Sequence, residues 1–457
     1  MGKTALYRGI ERRINVSNPK ISVIIPVYNA EEYLEECLNS VLGQSMKEIE
    51  VICINDGSTE NSLNILKQFR GRDERVHIIS QDNESAGAAR NRGLEIARGE
   101  YLSFLDADDF FESHMLSTAY EKAKKYEADI VVFRSNQFDE KKKSYCESTW
   151  TIKDQYIPNI DVFSRRDIKE NFYDCFVGWA WDKLFRTEFI RKNNIIFQNQ
   201  KIFNDLLFVY SALSKAERIS IVQEILVHKR INNSNSISTN YSKSKTWTCF
   251  YQALLGLRKQ LIQWEIFKEL ERDYINYALK FSLWNLGKFK NTEVYENLYN
   301  ALKNEWFKEL GVTDYNYSYF YDRTNYERLK DICSMTCSEY ERKEIVRNMS
   351  GMFLFPFELV DKFSKIVLYG AGNVGCVYYR QIQYTKYCEV TAWVDRDYEK
   401  LNGGIENPDI ILQREFDFVV IAINDKFITK DIIEKLCAMG IDEKRIIWRS
   451  PQINENI

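Results

Sequence analysis

Between residues 21 and 133, short runs of apolar, largely β-branched residues alternate with stretches whose apolar residues recur at helical spacing. Strands are predicted over 21–25 (ISVII), 49–54 (IEVICI), 76–80, 101–105 and 129–133 (DIVVF), and helices over 31–42, 61–69 and 87–97. Leu34, Cys37, Leu38, Val41 and Leu42 form the apolar stripe of the first helix, and Pro26 is expected to end the first strand. A chain that repeats strand and helix in this way predicts a doubly wound α/β domain. Ligands of such sheets gather at the carboxyl ends of the strands. The polar clusters after the first, second and fourth strands carry Tyr28, Asp56 and Asp106–Asp109, so these residues should line one crevice.

The last cluster is the most demanding. In YLSFLDADDF, residues 101–110, an apolar run stops at three carboxylates, Asp106, Asp108 and Asp109. Carboxylates this close repel one another unless a cation or a basic side chain sits among them. The same residues also read as an acidic turn capping the next helix. Other chemistries find little support. A net charge of −3 over 457 residues gives no bulk attraction for nucleic acid. Three histidines exclude a His-rich metal site, and ten scattered cysteines without a C-x-x-C pair read as reduced, mostly buried thiols. The basic N-terminus lacks the apolar core of a signal peptide, and Leu6 stands where a myristoylated Gly2 would need Ser or Thr. The longest apolar stretch, residues 351–360, is too short to span a bilayer. The expected location is cytoplasmic, with peripheral attachment at the inner face of the plasma membrane left open.

Four ordered motifs carry a resemblance. They are IIPVYN-x-E-x-YL at 24–34, NDGSTENS at 55–62, N-x-x-x-G-AARNRG at 83–93 and LDADD at 105–109. The region resembles the family 2 glycosyltransferases, which adopt the GT-A fold. The resemblance implies that Pro26 and Tyr28 frame the base of a nucleotide-sugar, that Asp56 accepts from the base edge, and that Asn83 and Arg90 contact the donor. It implies further that Asp106, Ala107 and Asp108 form the D-x-D element, with Asp106 near the ribose. Asp108, with Asp106, would hold Mn²⁺ or Mg²⁺ across the diphosphate. Asp56 as a turn-forming residue and Arg90 as a surface ion pair are the plainer alternatives. Two departures stand out. Glu84 and Ser85 follow Asn83 where glycine is usual, leaving Gly87 to supply flexibility, and Asn55 replaces an acid often found before Asp56.

Downstream, VGWAWDKLFRTEFI at 177–190 is similar to the family's W-x-KLYR element, with Trp181, Lys183 and Arg186 matching. It reads equally as acceptor contact or as aromatic core with a basic edge. FNDLLF at 203–208 resembles the E-D-x-x-F element, which implies that Asp205 is the catalytic base of an inverting transfer. Asn204 takes the place of the usual Glu and so removes a charge that would raise that base's pKa. Asp205 as a helix cap is the alternative. HKRINNSNSIS at 228–238 resembles the closing segment, with Arg230 and Ser236 as matches that could cover the phosphates and His228 as a further candidate metal ligand.

The stretch 246–345 is aromatic and helical, and its exposed part is a candidate surface for a homo-oligomer or a membrane. KIVLYGAGNVG at 365–375 is a strand entering G-x-G-x-x-G at Gly370, Gly372 and Gly375, and Asp395 falls close to the roughly 20-residue spacing of a dinucleotide fingerprint. The same glycines also serve tight helix–strand packing. The expected architecture is a basic leader over 1–20, a GT-A domain over 21–240, a helical region over 241–360 and a small Rossmann-like α/β domain over 361–457. The expected function is an inverting, metal-dependent glycosyltransferase of the hexosyltransferase type. Its donor would be a nucleoside-diphosphate-sugar, UDP-sugar first, and its acceptor a glycan or lipid-linked hydroxyl in surface polysaccharide synthesis. The alternative is a non-catalytic nucleotide-sugar-binding scaffold or sensor.

Overall fold

The computed structural model describes residues 19–148, 150–232, 246–290, 292–347, 353–401 and 404–452. Residues 1–18 of the basic leader, with Gly2 and Leu6, lie outside these residues, as does Ser236. The chain divides into two compact units, Met1–Glu327 and Arg328–Ile457. No helix among the described residues is long and apolar enough to cross a membrane.

In the first unit the alternation read from the sequence appears as β1 (Ile21–Val27), α1 (Leu34–Leu42), β2 (Ile49–Asp56), α2 (Ser62–Arg72), β3 (Val76–Gln81), α3 (Ala86–Ile96) and β4 (Tyr101–Phe104). These four strands pair in parallel in the order β3-β2-β1-β4. Beyond β4 the pattern changes. β5 (Phe110–Phe111), α4 (Met115–Tyr126), β6 (Ile130–Asp139), β7 (Ser144–Cys146), β8 (Lys183–Arg186), α5 (Thr187–Lys192), α6 (Asn204–Lys215) and β9 (Ile219–Ile231) follow. β8 inserts antiparallel between β4 and β6, and β5 closes the edge antiparallel to β9, so this half of the sheet is mixed. The result is an α/β sheet of the GT-A type, parallel on the side that ends in Tyr28, Asp56 and the aspartates.

Pro26 does not end β1. Ile24 accepts from the Leu105 N–H, so Ile24 and Pro26 turn their polar groups to the same side of the strand. β4 pairs only as far as Ile24. The missing proline donor therefore falls where no neighbour needs it, and β1 continues beside β2 to Val27.

Phe104, Phe197 and Phe208 pack under β4, with the Phe197 and Phe208 rings stacked at 3.9 Å and Phe104 edge-on at 4.9 and 5.2 Å. All three are buried. Burial of each contributes about 1.5–3 kcal/mol. This cluster seats α6 against the strand that carries the aspartates. The helical stretch that follows is interrupted: α7 (Cys249–Gln263) and α8 (Phe267–Lys288) are separated by a left-handed Glu265, φ 59°.

Helices α9 (Arg323–Ser334) and α10 (Cys337–Arg347) lead into the second unit. There β10 (Lys365–Tyr369), α11 (Asn373–Thr385), β11 (Glu389–Val394), β12 (Phe418–Ile421), α12 (Lys426–Ala438) and β13 (Ile446–Ile447) build a small parallel sheet in the order β11-β10-β12-β13. Gly370 has φ +107°, and a Cβ on Gly375 would collide with the Gly370 carbonyl. Gly372 faces open space. The Asp395 carboxylate accepts from the Ala371 N–H at 2.7 Å and from the Asp397 N–H at 2.8 Å, so it closes the glycine turn from within.

Candidate active site

The three aspartates lie in the turn between β4 and β5. One carboxylate oxygen from each of Asp106, Asp108 and Asp109 lies within 4.8 Å of the others. The register of β5 on β9 pairs Phe110 with His228. Continued by one residue, it sets Asp109 across from Lys229. The Lys229 ammonium stands 3.3 Å from Asp106, 3.8 Å from Asp108 and 3.1 Å from Asp109, over the ring of the buried Trp181 at 6.0 Å.

Charge follows this geometry. Burial disfavours the Lys229 cation, but Asp108, Asp109 and Asp106 hold it well above the ordinary lysine range. Burial likewise opposes ionisation of Asp106, yet Lys229 and Arg90 keep it below the usual carboxylate value. Asp109 is different. Burial, joined by repulsion from Asp108 and Asp106, pushes it up to about 8 against the attraction of Lys229. Asp109 Oδ1 accepts the Arg230 backbone N–H at 2.8 Å, which ties the turn to β9.

Arg90 is buried and donates to Asp106 Oδ1 at 2.6 Å and to Asn204 Oδ1 at 2.7 Å. It is neither a surface ion pair nor a fork open to solvent: both arms hold residues of the site. Arg230 is engaged in the same way. It donates to the Asp108 carbonyl at 2.9 Å, pairs with Glu36 at 2.6 Å and with Glu140, and stacks 4.6 Å over Tyr33. This corrects its reading as a phosphate cover, because its charge is already matched by two carboxylates. Lys183 is corrected as well. It is fully buried, donating to the Val177 and Trp179 carbonyls at 3.0 and 2.8 Å and to Asp182 at 2.5 Å, and so braces the loop from inside rather than facing an acceptor. His228 bonds Glu112 at 2.9 Å and Asn136 at 2.7 Å, apart from the acidic group.

Asp205 lies in the first turn of α6, after Phe203 at φ 55°. It is the second residue of the helix rather than its cap. Its carboxyl is pushed up to about 6, chiefly by burial and further by Asp106, against the pull of Arg90 and Lys183. A raised base thus arises without the Glu that Asn204 replaces. Asn204 instead receives the Arg90 arm.

At the end of β2, Asp56 is buried and its Oδ1 accepts from Gln81 Nε2 at 2.8 Å and from the Glu84 N–H at 3.0 Å. Glutamate supplies that backbone N–H as glycine would, so the departure from glycine leaves the bond intact. Ser85 caps α3 through the Ala88 N–H at 3.1 Å and donates to Asn199 at 2.8 Å. Gly87 is needed for close approach, not flexibility: a Cβ there would strike the Gln198 carbonyl. Asn55 accepts the Ser58 N–H at 3.3 Å, a turn bond that serves where an acid was expected. Tyr28 is 51% exposed, Asn83 is exposed, Pro26 is half-buried, and Ala107 is buried in the core beside the aspartates. Trp150, Trp179 and Trp181 step inward from solvent, with ring centres 5.1 and 5.2 Å apart.

The family model for glycosyl transferase family 2 matches residues 22–193, and a second model, C2185-like, N-terminal, matches residues 362–447. The chain is 32% identical over 225 residues to the uncharacterized glycosyltransferase EpsJ of Bacillus subtilis, covering 48% of this chain and 63% of EpsJ. It is 31% identical over 278 residues to the cholesterol galactosyltransferase of Borreliella burgdorferi, covering 57% of this chain and 73% of that one. It is 32% identical over 232 residues to the putative teichuronic acid biosynthesis glycosyltransferase TuaG of Bacillus subtilis, covering 50% of this chain and 86% of TuaG. The parallel strand ends and the acidic turn lie within the residues that the family 2 model matches. The chain belongs to the family 2 glycosyltransferases, and it spans less than two thirds of EpsJ's own length.

Lys229 is the site residue that the sequence reading missed. The signal was strand alternation: His228 and Arg230 share one side of β9, and the residue between them points the other way.

Proposed function

We propose that this chain transfers a hexose, with inversion, from a nucleoside-diphosphate-sugar to a hydroxyl of a glycan or lipid-linked acceptor in surface polysaccharide synthesis, with UDP-sugars first among the donors. The observation that carries the reading is Asp205, a carboxylate raised to about 6 and in electrostatic reach of Asp106. A base that titrates near neutrality can take the acceptor hydroxyl's proton as its oxygen attacks the anomeric carbon. Inversion follows from a single displacement with the base on the acceptor side.

Tyr28, Pro26, Asp56 and Asn83 would receive the base of the donor, since the first two flank the end of β1 and the others meet at the end of β2. Arg90 acts behind them by holding Asp106. The hard oxygens of Asp106 and Asp108 fit Mg²⁺ or Mn²⁺. Such an ion would neutralise charge on the leaving nucleoside diphosphate. Trp150, 40% exposed, and Trp179 offer ring faces on which an acceptor sugar could stack. The galactosyl and teichuronic acid names of two relatives support a hexose donor and a surface-polymer acceptor. Peripheral attachment at the inner membrane face would suit a lipid-linked acceptor. In the second unit, the Asp395 bond to Ala371 supports a packing role for Gly370 and Gly375 over a bound nucleotide.

The test is release of nucleoside diphosphate from UDP-, GDP- and dTDP-hexoses with Mn²⁺ or Mg²⁺ and a pool of lipid-linked and free glycan acceptors. Release that needs both acceptor and Asp205 supports transfer. Tight donor binding with no turnover on any acceptor supports a scaffold.

A further inference from the structure

Lys229 stands among the same three carboxylates that would receive a divalent ion. Its surroundings leave it little choice of place. Asp109 is fully buried beside it, Trp181 lies under it, and Arg90 already occupies one oxygen of Asp106. Arg90 and Lys229 already face the three carboxylates, and an added dication would leave the centre with a surplus of positive charge. A second cation on Asp106 and Asp108 would also sit against the ammonium, which lies 3.3 and 3.8 Å from them.

We propose that Lys229 is a resident cation of the acidic centre, and that in the absence of a donor a divalent ion enters only by displacing it. The inference rests on the functional reading above and concerns how its metal site is loaded. The free chain then binds divalent ions weakly. The diphosphate of a donor brings the negative charge that lets both cations remain, so metal and donor bind together rather than in sequence.

The experiment measures Mn²⁺ binding to the full chain, without nucleotide, by calorimetry and by the Mn²⁺ paramagnetic signal. Lys229→Met is expected to bind Mn²⁺ at least tenfold more tightly than the native chain, and Mn²⁺ should raise its melting temperature by more. Lys229→Arg, which keeps the charge, should bind as weakly as the native chain. Should Lys229→Met prove unstable, Lys229→Gln carries the same expectation. Equal Mn²⁺ affinity in the native and Lys229→Met chains overturns displacement, and if Asp108→Ala then abolishes binding, the metal site itself stands. Absence of Mn²⁺ binding in every variant, with donor turnover persisting in chelator, overturns both displacement and the metal assignment while leaving the transferase reading intact.

Discussion

Arg90 pairs with Asp106 at 2.6 Å, and its second arm reaches Asn204 at 2.7 Å, one residue before Asp205. One guanidinium thus couples the acidic turn after β4 to the first turn of α6. The spacing between Asp106 and Asp205 is set by this fork and by the phenylalanine cluster beneath it.

Lysine cannot reproduce a planar fork. Arg90→Lys should keep the pair with one partner and lose the other. The expected cost is about 1–3 kcal/mol in urea unfolding and a fall in transfer of about tenfold or more. Native stability with native turnover would contradict the coupling.

Asp205 sets a pH dependence. Its carboxyl rises from 3.8 to about 6 on folding, by burial first. Between these values the folded state binds more protons than the unfolded, so this group's contribution to stability falls as pH rises through that window. Above it the charged form costs about 1–3 kcal/mol. Asp205→Asn should therefore melt higher than the native chain at pH 7 but not at pH 4. For the native chain, kcat/KM should rise between about pH 5 and 7 and then level off.

Lys183 and Asp182 are buried together, and burial pushes Asp182 up to about 6 even with Lys183 attracting it. Lys183→Met leaves that carboxylate alone, which costs about 3–5 kcal/mol when it is charged. The loss in urea midpoint should be larger at pH 8 than at pH 5, where Asp182 can take a proton. An unchanged midpoint with a raised acceptor KM would restore the acceptor role.

In the second unit, Gly375→Ala drives a Cβ into the Gly370 carbonyl, whereas Gly372→Ala meets nothing within 4 Å. The first should destabilise by about 1–3 kcal/mol or more and the second by little. Equal melting of the two variants would rule out a packing role for Gly375.

Much of this arrangement was legible in the chain. The strand–helix period and the polar strand ends placed Tyr28, Asp56 and Asp106 on one side of the sheet, because alternation and parallel crossovers leave few other topologies. What local pattern could not convey was which charges pair. Arg90 and Arg230 read as ligand contacts, yet Arg90 is buried against Asp106 and the distant Asn204, and Arg230 against the distant Glu36 and Glu140. Lys229 drew no notice because its role depends on the register of the two-residue strand β5 with β9. Asn204 looked like the loss of a charge that would raise the base, but burial, helped by Asp106, raises Asp205 without it. Pro26 looked like a strand end because the sequence does not say where β4 leaves its neighbour.

The most direct measurement is turnover of the preferred sugar nucleotide by Asp205→Asn, with donor affinity measured on the same sample. The account predicts unchanged donor binding and a fall in kcat of about 10²–10⁴-fold, the range of a lost general base. Native turnover by Asp205→Asn with donor bound would contradict it.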